Sequence, residues 1–145
     1  IVGTWLIDQW KRAGIEVTQK AEATGPFYAQ LRSGNFDVAL EFNCKSVVNP
    51  LADVSKFLGS AGDQYGRFKD PVLEEMHEKM NRTSDQAEQR KLMRAFEKRV
   101  LDEEAHNFIS LWWYRIIPHR SYMKGWKISS SHYIGNQLDV VWLDK

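Results

Sequence analysis

Phe36-Asp37-Val38-Ala39-Leu40-Glu41-Phe42 is the stretch on which the reading of the fold turns. Its apolar residues recur at every second position, and side chains two apart share one face of a β-strand. The alternation predicts a strand over 36–42 with one face toward a core. Just upstream, Pro26 sits at a helix start, and Phe27, Leu31 and Gly34 predict a short helix closed by glycine. Ile15-Glu16-Val17 alternates as a shorter strand. Before it, Val2, Leu6, Trp10 and Ala13 recur with helical period, and Gly14 stands where a helix-ending glycine is expected. Strand 15–17, helix 27–34 and strand 36–42 form a right-handed crossover if the two strands are parallel.

Downstream, residues 43–50 lack a clear period and end in an Asn49-Pro50 turn signal. A short helix is expected at 51–59, closed by Gly59, and a polar loop at 60–69. Asp70-Pro71 reads as an N-cap acid before a proline at the first helical position, with Leu73, Met76 and Met80 on one face. Asp85 opens a longer helix, and Glu88 completes a capping-box-like pair. Leu92, Met93, Phe96, Val100 and Leu101 supply its apolar stripe. Phe108–Ile117 reads as a buried strand ended by Pro118, and 122–128 and 138–143 are weaker strand candidates. Strands alternating with helices predict an α/β fold, a mixed sheet flanked by helices in a single domain over 1–145.

The 145 residues are 43% apolar and 27% charged, with a net charge of +1. That balance is ordinary globular composition and lacks the basic stripe of a nucleic-acid binder. Lys91, Arg94, Glu97 and Lys98 mix signs as a solvated helix face does. No apolar run approaches the roughly 20 residues needed to cross a bilayer, so no direct membrane insertion is expected. The chain opens at Ile1, inside a helical pattern and without a signal peptide. The expectation is a piece of a longer polypeptide whose targeting segment lies upstream.

The residues that carry chemistry elsewhere form no constellation. His77, His106, His119 and His132 are nowhere spaced as a helical zinc pair, and no metal or cofactor is expected. Surface or hydrogen-bonded roles suit these histidines better. Cys44, the single cysteine, stands after a strand end, a position that enzymes use for nucleophiles. It has no base in sequence reach, and an inert, small apolar role fits it better. Glu74-Glu75 and Asp102-Glu103-Glu104 are acids on solvated helix faces, and Gly59, Gly62 and Gly66 lack the lysine of a phosphate loop. In Trp112-Trp113-Tyr114 the first and third residues share a face, which belongs either to the core or to a ligand cleft. The chain is not expected to be an enzyme. A Cys44-dependent enzyme domain and an interaction module unconnected with transport are the alternatives.

Several segments, in order, resemble solute-binding proteins of the oligopeptide/dipeptide/nickel type that serve ABC importers. They are Trp10-Lys-Arg-Ala-Gly-Ile-Glu-Val17, then Phe27-Tyr-Ala-Gln-Leu-Arg-Ser-Gly-Asn-Phe-Asp-Val38, then Asn49-Pro50 with Phe57-Leu58. Asp70-Pro-Val-Leu-Glu-Glu75, Asp85 to Arg90 with Phe96, Asp102-Glu-Glu-Ala105, Lys124-Gly125-Trp126 and Val141-Trp-Leu-Asp144 continue the series. The resemblance implies a periplasmic-binding-protein type II-like lobe, the C-terminal one of two. Residues 118–145 would return toward the hinge or the N-terminal lobe. It implies a small-molecule or short-peptide ligand, a membrane ABC permease as partner, and a periplasmic or extracellular location.

The ligand residues expected on that basis are Glu41, Asn43, Cys44, Ser46 and Asn49 after the strand, with Trp112 and Tyr114 beside them. Peptide-binding members carry a Trp-x-x-Asp motif at this place, whose acid anchors the ligand's ammonium. Its two positions fall on Asn43 and Ser46 here, while Cys44 matches a cysteine of some peptide binders. Serine supplies a dipole and no charge, and a buried ammonium needs a paired charge. The resemblance therefore does not carry the amine clamp over to this chain. Glu41 is the acid available nearby, either for a cationic ligand or for pairing with Lys45 or Arg115.

Overall fold

The computed structural model describes residues 2–42, 49–111, 117–127 and 137–144. The chain divides into two compact units, Ile1–Asn43 and Cys44–Lys145, and each is described by itself.

The first unit holds α1, Val2–Arg12, and α2, Thr24–Ser33. Both helices end in the same way. After α1, Gly14 takes φ 83°; its N–H donates to the Lys11 carbonyl, and the Ile15 N–H reaches back to Trp10. After α2, Gly34 takes φ 73°, with its N–H on Leu31 and that of Asn35 on Gln30. This paired closure needs a left-handed residue, which glycine adopts without a Cβ penalty. Both glycine stops expected in this unit are thus present. Among the described residues of the unit, Leu6 and Leu31 are the buried apolar ones.

Residues 15–17 and 36–42, expected as strands, are not strands in the structure. The apolar face of 36–42 is largely uncovered, with Val38 58% and Phe42 73% exposed and Phe36 half-buried. Alternation identifies a segment able to face a core on one side. It cannot supply the neighbouring backbone that a strand requires.

In the second unit α3, Pro50–Val54, runs into a 3-10 turn at Ser55–Phe57. It is followed by α4, Pro71–Arg82, and α5, Gln86–Lys98, which widens into a π turn at Arg99–Glu103. Thr83-Ser84-Asp85 joins α4 to α5, a link short enough to make a helical hairpin. The Gln89 side chain ties that corner by donating to the carbonyls of Met80 and Thr83. Leu73 and Met80 of α4 meet Phe96 of α5 and Val100 of the π turn in a buried core with Leu58. Leu51, Val54, Phe57, Phe68, Met76, Leu92 and Met93 pack around it. Leu101, one step past Val100 in the π turn, is exposed rather than part of the stripe.

Side chains cap α3, α4 and α5, the α-helices among the described residues of this unit. Asn49 accepts from the Leu51 amide, Asp70 from Val72, and Asp85 from Ala87 and Glu88. Pro50 and Pro71 occupy first-turn positions, where a missing N–H costs nothing. Glu88 pairs with Lys91 at 3.8 Å.

The strands among the described residues are β1, Met123–Lys124, and β2, Trp142–Leu143, an antiparallel pair with Met123 opposite Leu143. Both lie inside the weaker strand candidates of the sequence. Gly125 takes φ 78° directly under the Val140 carbonyl, where a Cβ has no room. Residues 108–111, read as the start of a buried strand, are not a strand, and Phe108, Ile109 and Leu111 are exposed.

Candidate functional site

Of the ligand residues expected from the sequence, Glu41 and Asn49 are described. Asn43, Cys44, Ser46, Trp112 and Tyr114 lie outside the described residues. Glu41 is half-buried in the first unit. Asn49 is exposed in the second unit and serves as the cap of α3, its side-chain oxygen 3.0 Å from the Leu51 amide. That oxygen is therefore engaged, and the amide nitrogen of Asn49 is the group it has to offer a ligand. His77 of α4 steadies the same helix, with Nε2 3.1 Å from the Leu51 carbonyl and Nδ1 3.2 Å from the Asn81 amide nitrogen. Those contacts make Nε2 the protonated nitrogen and Nδ1 the acceptor.

The densest polar cluster gathers around Asp70, which is only 6% exposed. One carboxylate oxygen caps α4 through the Val72 amide at 3.0 Å. The other accepts from Arg99 Nε at 2.7 Å and from His106 Nε2 at 3.4 Å. The outer nitrogens of Arg99 face Glu104 at 3.1 Å and Glu103 at 3.8 Å, and Glu103 also bonds Lys98 at 2.8 Å. The His106 ring lies parallel to Phe68 with centroids 3.9 Å apart.

The electrostatics follow from that geometry. Burial pushes the Asp70 carboxyl up, but the hydrogen bonds from Arg99, Val72 and His106 and the Arg99 charge outweigh it. The group is held below the usual carboxylate range. The bond to Asp70 raises Arg99 in turn, and Lys98 lowers Glu103. Every ionised member has an opposite charge within reach, which is how a protein keeps a buried carboxylate.

Sequence reasoning read Asp70 as a cap and missed its second partner. Arg99 is 29 residues away in the chain, and the hint lay in its place between Phe96 and Val100, in the turn that continues α5. A hollow of about 280 Å³ adjoins the cluster, lined by Gly59, Lys69, Asp70, Pro71 and Glu74. Its acids are already engaged, since Glu74 accepts from the Ser60 amide at 3.2 Å. Among the described residues no group of three His, Cys, Asp or Glu side chains is arranged to hold a metal ion, and no helix is long and apolar enough to cross a membrane. The Asp70 cluster thus ties two loops to a helical hairpin and presents no free reacting group. No family model, curated protein or solved structure matches the chain.

Proposed function

We propose that the chain is a lobe of an extracellular solute-binding protein of the oligopeptide/dipeptide/nickel type, which grips a small solute or short peptide for an ABC importer without chemistry. The observation that supports this reading is a run of helix boundaries. Gly14, Gly34, Asp70-Pro71 and Asp85 end or open helices at the points where the resemblance implies them. Local signals agreeing with one order of helices from Gly14 to Asp85 are the consistency expected of a real likeness. On this reading the sheet is mixed and flanked by helices. The ligand residues are Glu41, Asn43, Cys44, Ser46 and Asn49, with Trp112 and Tyr114 as flat apolar contacts. The loaded protein docks on a membrane permease from the periplasmic or extracellular side.

Native mass spectrometry of the protein purified from its own source tests the proposal. A defined small molecule that leaves on denaturation supports a receptor and names its ligand class. A mixture of peptides supports the receptor and overturns the argument from Ser46 against an amine clamp. An empty protein, with no thermal shift on adding peptides, sugars or metal chelates, overturns the proposal.

A further inference from the structure

Three costs of the folded state fall in one place. Arg67 and Ala105 are the non-glycine residues with left-handed backbones among those described, at φ 55° and 48°. Each immediately precedes a member of the stacked pair, Phe68 and His106. Left-handed backbone is unfavourable for a residue with a Cβ and persists only where its surroundings over-determine it. The third cost is Gln64, whose Nε2 donates to the Phe68 carbonyl while its Oε1 is buried with no partner among the described residues. A buried acceptor left unbonded carries its full desolvation cost.

What opposes these costs is equally local. The ring stack, the shared Asp70 oxygen and the bond from the His106 amide to the Val100 carbonyl at 2.9 Å all join the loop before α4 to the segment after α5. The π turn at Arg99–Glu103 begins at the arginine that anchors them, and such turns are frequent at functional sites. Separating the stack removes the ring contact between the two residues that directly follow Arg67 and Ala105.

We propose that Phe68, Asp70, Arg99 and His106 form a strained latch, closed in this structure, which joins loop 59–70 to residues 104–107 and opens as one unit. Opening frees two segments that are far apart in sequence while α4 and α5 stay folded on their own core. The later of these segments leads along the chain to Trp112 and Tyr114. The latch rests on contacts of the described residues alone and holds whether or not the chain binds a solute.

Native-state hydrogen exchange on the full chain tests it, with His106→Ala and Phe68→Leu as separate ways to remove the stack. Loss of such contacts is expected to speed exchange about tenfold at the amides of Gln64 and Arg67 and at residue 106 together. In the wild type the Phe96 amide, inside α5, is expected to exchange more slowly than these amides, through an opening of larger free energy. Ala105→Gly relieves backbone strain in the closed form and is expected to slow the same amides about threefold. Acceleration confined to residues 104–107 overturns the proposal, because the two segments then open separately. Wild-type protection at Phe96 no greater than at these amides also overturns it, since the cluster then opens only with the global fold. Ala105→Gly exchange that is unchanged or faster removes the strain from the argument and overturns it as well.

Discussion

The α4–α5 hairpin and the stretch 36–42 are both rich in apolar residues, yet the molecule treats them oppositely. In the hairpin, Leu73, Met80, Phe96 and Val100 are buried against one another, and both helix starts are capped by aspartates. In 36–42 three of the four alternating apolar residues, Val38, Leu40 and Phe42, stand open to solvent, and Phe36 is half-buried. The difference is one of range. A helix satisfies its own backbone and needs only an apolar stripe facing a neighbour, which a three-residue link supplies at once. A strand satisfies nothing until another strand lies beside it.

The largest break in this comparison is expected at Phe96. Its replacement by alanine removes a fully buried ring between α4 and α5 and costs about 4 kcal/mol. Urea unfolding of the second unit measures it, and a loss below about 1 kcal/mol refutes the hairpin as the core of that unit.

Asp70→Asn comes next. It keeps an oxygen for the Val72 amide but removes the charge facing Arg99, at a cost of about 2 kcal/mol. The pH dependence has a definite sign. A carboxyl held low in the folded state contributes stability that is complete above its unfolded value, about 3.9. That contribution is lost as pH falls through the folded-state value. The gap between wild type and Asp70→Asn is therefore constant from pH 7 to about pH 5 and closes below about pH 4. A gap that instead closes toward alkaline pH contradicts the assignment.

The caps sharpen the contrast further. Asp85→Ala removes the acceptor for two amides at the start of α5 and is expected to cost about 1 kcal/mol in the same assay. The first unit offers the reverse experiment. The cap position of α2 is Ala23, with extended backbone and no side-chain bond to the helix. Ala23→Ser is expected to stabilise α2 by about 0.5 kcal/mol, read as increased helix content at intermediate urea.

What could be read from the sequence divides along the same line. Gly14, Gly34, Asp70-Pro71 and Asp85 were legible because each signal acts within four or five residues of itself. The strand expected at 36–42 was not, since its spacing carries no information about a partner. Residues 108–111 failed in the same way: an apolar run says that burial is wanted and not where it will be found. The Asp70–Arg99–His106 cluster was invisible for a third reason. It joins positions 29 and 36 residues apart through a widened helical turn that no local propensity announces. Of the expected ligand residues, Asn49 was legible as the residue before Pro50, but its service as a helix cap emerged only with the structure. Its neighbours Asn43, Cys44 and Ser46 fall outside the described residues, so the loop as a whole stands on the resemblance.

The smallest expected effect is also the sharpest test of the comparison. Phe42 has the same alternating phase as Phe36, Val38 and Leu40, and by pattern alone it belongs to a core as firmly as Phe96 does. Its ring is nonetheless 73% exposed, so Phe42→Ser gives up little buried surface. The expected change in unfolding free energy is below about 0.5 kcal/mol, as for surface substitutions generally. The same change shortens an apolar stretch of high β-propensity, so the variant is expected to stay soluble at higher concentration than wild type. Leu40→Ser, on the same alternating face, should behave alike. If Phe42→Ser instead costs 2 kcal/mol or more, close to the value for a buried ring, then a strand partner covers this face in solution. The two regions would then differ in where their partners come from and not in whether they have them.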